Sequence, residues 1–111
     1  MTSGPVVRIS ITRCDEAQFD KLRQMMSESE AMLRPGIEKM PGLLDFFAGE
    51  DPATCSFTNT SLWDTLEHAH QLDQFKPMLD AGKRLAAEGA RFDRPILNSK
   101  TLWRFGPTSK P

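Results

Sequence analysis

Asn59, Ser61 and Trp63 stand two residues apart, and that spacing is the chain's best opportunity for chemistry. On an extended strand it sets an amide, a hydroxyl and an indole on one face. If a helix opens at Asp64, then Leu66 and His70, three and seven positions beyond Trp63, continue that side. A positioned amide N–H stabilises a developing oxyanion, and an imidazole exchanges protons near neutral pH. The stretch therefore predicts a small-molecule pocket with Asn59, Trp63 and His70 as its chemical groups. Phe57, on the strand face of Asn59 and Ser61, is expected in the wall with Ser61, Leu66 and Met26. Plainer readings stand beside these. A strand-end tryptophan serves equally as a core anchor, His70 as a solvated helix residue, and Met26 with Met25, Met32 and Met40 as core filler.

The elements that must position these residues follow from periodicity. Residues 6–14, VVRISITRC, alternate as a first strand, with Val7, Ile9 and Ile11 on one face and Arg8, Ser10 and Thr12 on the other. The apolar set is expected under the helices and the mixed set on the uncovered side. Asp15 offers an N-cap, and Phe19, Leu22, Met26, Ser29 and Leu33 keep helical spacing to about Arg34, where Pro35 and Gly36 are expected to break the helix. Leu43 to Gly49 reads as a second strand, residues 50–54 as a turn, and Cys55 to Trp63 as a third strand. A short helix from Asp64 to about Leu72 leads to Asp73 as a fresh cap and a second long helix over Gln74 to Glu88. Residues 96–105 alternate as the last strand.

The order is βαββαβ, which predicts an α+β, ferredoxin-like fold with two helices on one face of a four-stranded antiparallel sheet. The other face, with Arg8, Ser10, Thr12, Thr58 and Leu62, is expected to pack on a second sheet and make a homodimer. Arg8 would then line the dimer interior, held in a salt bridge or by water.

Composition narrows the field. A chain of 111 residues fits one domain, and 14 basic against 15 acidic residues, without a basic cluster, argue against nucleic acid and anionic membrane as partners. No apolar stretch approaches the ~20 residues a membrane span needs, and the start MTSGPVV lacks the pattern of a leader, so a cytoplasmic protein is expected. Cys14 and Cys55 lie outside any CxxC spacing and read as reduced thiols. His68 and His70 point about 200° apart on a helix, and no metal site and no cofactor are expected.

In two stretches, KMPGLLDFF and SLWDTLEHAH, the chain resembles the antibiotic biosynthesis monooxygenases, a family of dimeric α+β barrels. The resemblance covers nearly the whole length and implies that fold and a homodimer. Cofactor-independent, quinone-forming members place an asparagine four residues before the strand-end tryptophan, and Asn59 with Trp63 matches that spacing. In them the polar groups hold a substrate oxygen while a phenolic substrate becomes a carbanion that reacts with dioxygen. The tyrosines that assist there have no counterpart, since this chain contains none. His70 as base and Lys83 or Arg84 as positive charge are the substitutes on offer. The haem-degrading branch resembles the chain less, because it needs a histidine late in the second helix, and residues 74–88 have none.

Two functions of different class emerge. One is a cofactor-independent monooxygenase of small aromatic or polyketide-like substrates. The other is a non-catalytic dimeric barrel that binds a small apolar ligand or serves as a stress or accessory protein. An open cavity touching Asn59, Trp63 and His70 separates the first from the second.

Overall fold

The computed structural model describes residues 5–108. In chain order it contains β1 (Val6–Arg13), a 3-10 turn (Glu16–Gln18), α1 (Phe19–Glu38), β2 (Leu43–Asp51), β3 (Ser56–Trp63), α2 (Leu66–Ala69), a 3-10 stretch (His70–Gln74), α3 (Lys76–Ala87), β4 (Arg91–Phe92) and β5 (Leu97–Lys100). All strand pairs are antiparallel, in the order β2-β3-β1-β4, with β5 also paired to β1. This is the ferredoxin-like α+β arrangement, with the central β1 flanked by strands that follow it in sequence.

Cross-strand register fixes which side chains share a face. Val6 faces Trp63, Arg8 faces Ser61, Ser10 faces Asn59 and Thr12 faces Phe57. These four rungs lie under the helices. Two apolar clusters close the ends of that layer. Val6, Trp63, Ile37, Ala69 and Leu72 pack at one end, and Phe57, Phe19, Leu22, Leu85 and Cys14 at the other. The Phe19 and Phe57 rings stack with centroids 4.8 Å apart. The two middle rungs are polar.

This reverses the expected orientation of β1. Arg8, Ser10 and Thr12 face the helices, whereas Val7, Ile9 and Ile11 pair with Leu62, Thr60 and Thr58 on the uncovered face. Phe47 and Leu97, opposite Thr60 and Ile9, extend that apolar face and are 60% and 52% exposed. Alternation identifies the two sets but not which one the helices cover.

Several boundaries also differ. Helix α1 continues through Pro35 to Glu38, because Ile37 is buried against Trp63's cluster and anchors the last turn at the cost of one backbone hydrogen bond. Gly36 admits the Phe75 ring so closely that a Cβ there would lie 2.6 Å from it, which draws α1 onto the start of α3. The last strand is split into β4 and β5, ending at Lys100, and the described residues beyond it belong to no strand. Leu102, Trp103 and Phe105 are exposed there, with the two aromatic rings stacked 5.4 Å apart. Asp73 does not cap α3, whose N-cap position is Phe75. No described helix is long and apolar enough to cross a membrane.

Candidate functional site

Between the polar middle rungs of the sheet and the two long helices lies an open cavity of about 1190 Å³. Its walls include Asn59, Ser61, Phe57 and Met26, so four of the expected residues meet there, from β3 and α1. Arg8, Ser10 and Thr12 from β1 and Asp73 from the segment before α3 complete the polar part. Aliphatic and aromatic side chains, among them Leu33, Phe46 and Met78, supply the rest.

Asn59 sits half-buried on the cavity wall, and its amide makes no side-chain hydrogen bond among the described residues and stays open to the solvent that fills the cavity. Ser61 is nearly fully buried and accepts a hydrogen bond from the Trp63 indole N–H at 2.8 Å. Trp63 itself is fully buried in the apolar end cluster and does not line the cavity. Its reach into the site is through Ser61, whose own O–H is left to donate elsewhere.

His70 and Leu66 also fall outside the cavity. Helix α2 opens at Leu66 rather than at Asp64, capped by Thr65, which accepts from the His68 N–H at 3.1 Å, and that start turns Leu66 outward. Asp64 instead lies 2.7 Å from His68 Nδ1 and donates its backbone N–H to Gly42, whose φ of +83° and crowded surroundings leave no room for a side chain. His70 is half exposed, with Nδ1 2.7 Å from Asp73 Oδ2. The other carboxylate oxygen, Asp73 Oδ1, accepts from Arg8 Nη2 at 2.6 Å. His70 thus connects to the cavity only through Asp73.

Arg8 is the group that sequence reasoning placed on the wrong side. Its side chain is 6% exposed against 44% for Asp73. Its Nη1 makes two long contacts, 3.5 Å to the Ala69 carbonyl and 3.4 Å to Asn98 Oδ1. Burial pushes the Asp73 carboxyl up, but hydrogen bonds from His70 and Arg8 outweigh it and hold the group below the usual carboxylate range. The only local signal for Arg8 was a cation alternating with apolar neighbours on a strand, which the rule that apolar faces turn inward led astray.

Elsewhere on the rim, Arg34 is neutralised by Glu30 and Glu38 at 2.7 and 2.9 Å, and Arg23 by Glu50 at 3.0 Å. Lys83 lines the rim from an exposed position on α3, whereas Arg84 does not line this cavity. Cys14 and Cys55 lie opposite one another where β1 and β3 end, the Cys14 N–H donating to the Cys55 carbonyl at 3.1 Å. Both thiols are free, and burial followed by the neighbouring Cys55 raises that of Cys14. Among the described residues no three His, Cys, Asp or Glu side chains gather as metal ligands.

Neither a protein-family model nor a curated protein sequence matches the chain. Solved structures do match in fold. An antibiotic biosynthesis monooxygenase-like protein from Nitrosomonas europaea aligns with a TM-score of 0.68 at 12% identity, over 96% of this chain and 98% of its own. A Streptomyces coelicolor monooxygenase, solved with nanaomycin D, aligns with a TM-score of 0.67 at 12% identity, over 96% and 94%. A cofactor-independent oxygenase from Streptomyces nogalater aligns with a TM-score of 0.59 at 12% identity, over 96% and 100%. At such identities the likeness is one of fold, and it extends over essentially the whole domain.

Proposed function

We propose that the chain is a cofactor-independent monooxygenase that binds a small aromatic or polyketide-like substrate between its sheet and its helices. The observation that carries this reading is the unpartnered Asn59 amide on the polar floor of a cavity whose remaining walls are largely apolar. The amide faces the open cavity and is engaged by no protein group, so its N–H is free to donate to an oxygen of a bound ligand. Solved proteins of the same fold that are described as oxygenases support the class of reaction.

In this reading an anthrone-like CH2 loses a proton, and the charge moves onto the neighbouring carbonyl oxygen as an enolate. Asn59 Nδ2–H donates to that oxygen, with the Ser61 O–H beside it. The carbanion carbon bonds to dioxygen, and the resulting hydroperoxide loses water to leave a ketone. The sum is CH2 + O2 → C=O + H2O, with dioxygen the oxidant. Trp63 acts as a positioning residue that fixes Ser61. His70 takes the proton only by way of Asp73. The uncovered apolar face supports assembly with a second copy of the chain through its sheet.

The test is oxygen uptake by metal-stripped protein with reduced anthrones and hydroquinones, beside Asn59→Ala. The expected result is cofactor-free uptake that falls by about 100- to 1000-fold in the variant, the scale of one lost oxyanion donor. Absent uptake, or uptake that ignores the substitution, would move the chain to a ligand-binding role.

A further inference from the structure

We infer that Arg8 makes the cavity selective for an anion, so that the substrate is a ring system bearing an ionised oxygen, a carboxylate or an acidic enol. The inference rests on the reading of this cavity as the substrate site and adds the chemical class of what enters it.

The physical case starts from the cost of placing a guanidinium there. A cation 6% exposed is expensive to desolvate, and its partners in the protein are few. Asp73 provides one short bond at 2.6 Å, whereas the contacts to Ala69 and Asn98, at 3.5 and 3.4 Å, are at the weak end of the range. A guanidinium offers five N–H donors, more than the three contacts made here, and the side chain is part of the cavity lining.

The paired carboxylate does not cancel the charge as felt inside. Asp73 is 44% exposed and shares its second oxygen with His70, so water and the imidazole screen it. Arg8 lies in the drier medium, where a charge acts over a longer distance. An anion placed on the floor beside Ser61 and Ser10 therefore meets an attractive field with hydroxyl donors next to it. A neutral ligand of the same shape gains less from it, because its oxygens carry no net charge. Arg8 Nη1 can give up its long contacts for a short, charge-assisted bond to such an oxygen.

The experiment is calorimetric titration of the full chain at neutral pH with 2-hydroxy-1,4-naphthoquinone, which is ionised there, and with its methyl ether, which cannot ionise. The expected result is that the hydroxy form binds on the order of ten- to a hundredfold more tightly, and that Arg8→Gln reduces the ratio to within about threefold while Arg8→Lys keeps part of it. Equal binding of the two quinones, or a preference that survives Arg8→Gln, would overturn the inference. If Arg8→Gln does not fold, Arg8→Lys decides: a point charge without the planar fork should lower the ratio, and an unchanged ratio counts against Arg8. No oxygen is consumed in these titrations. A preserved preference without turnover would sink the oxygenase reading alone, and turnover without preference would sink only the anion reading.

Discussion

The two faces of the sheet are built the wrong way round for a free-standing domain. The face roofed by helices carries Arg8, Ser10, Asn59 and Ser61 across its middle, while the face with no helix over it carries Val7, Ile9, Ile11, Leu62, Phe47 and Leu97. A packed core would prefer the opposite. The inversion teaches that the helices divide their work: at the two ends of the sheet they bury apolar clusters, and over its middle they do not. There they roof a cavity with a polar floor, while the apolar residues of the other face stay uncovered.

The largest effect is expected from breaking the uncovered face. Ile9→Asp sets a carboxylate in its centre and should weaken self-association by on the order of 30-fold or more, read as a shift toward monomer in analytical ultracentrifugation. A wild-type protein that is monomeric at high concentration would remove the second copy from the comparison. The next effect is on the covered face. Ser10→Val makes a middle rung apolar and should raise stability by about 0.5–1 kcal/mol in urea unfolding while lowering turnover, the signature of a surface kept polar for a ligand. Loss of stability instead would show that the hydroxyl belongs to the fold.

The smallest effect is in acid. The Asp73 carboxyl is held below its ordinary range in the folded chain, so its contribution is complete above the unfolded value of about 3.9 and is lost as pH falls through the lower, folded one. With the carboxylate nearly half exposed, that contribution is under about 1 kcal/mol. Wild type and Asp73→Asn should therefore differ slightly in urea midpoint at neutral pH and converge below about pH 4. Divergence that grows in acid would show that the pairing with Arg8 and His70 is not what lowers the group.

Much of the architecture was legible because period two and period 3.6 are properties of short stretches. Asn59, Ser61 and Phe57 were found on one face by spacing alone, and the hairpin by its turn residues. What failed was what distance along the chain conceals. Which face the helices cover depends on the whole assembly, so β1 was turned over. Asp73 looked like a helix cap because nothing near it announces an arginine 65 residues earlier. Trp63 had the spacing of a site residue, yet its burial depends on Ile37 and Leu72 arriving from two other elements. Pro35 was a fair stop signal, overridden by the anchoring of Ile37.

The register of β1 has a consequence in time as well as in space. Its partners are β3, β4 and β5, all of them later in the chain, and Val6 pairs with both Trp63 and Lys100. The central strand thus leaves the ribosome before any of its partners and is among the last to be satisfied, since neither edge can close until remote residues are made. Non-local pairing of this kind slows folding. Until it is complete, Val7, Ile9 and Ile11 lie on an unpaired strand and invite pairing with other chains, so a cell making this protein has most reason to guard this strand.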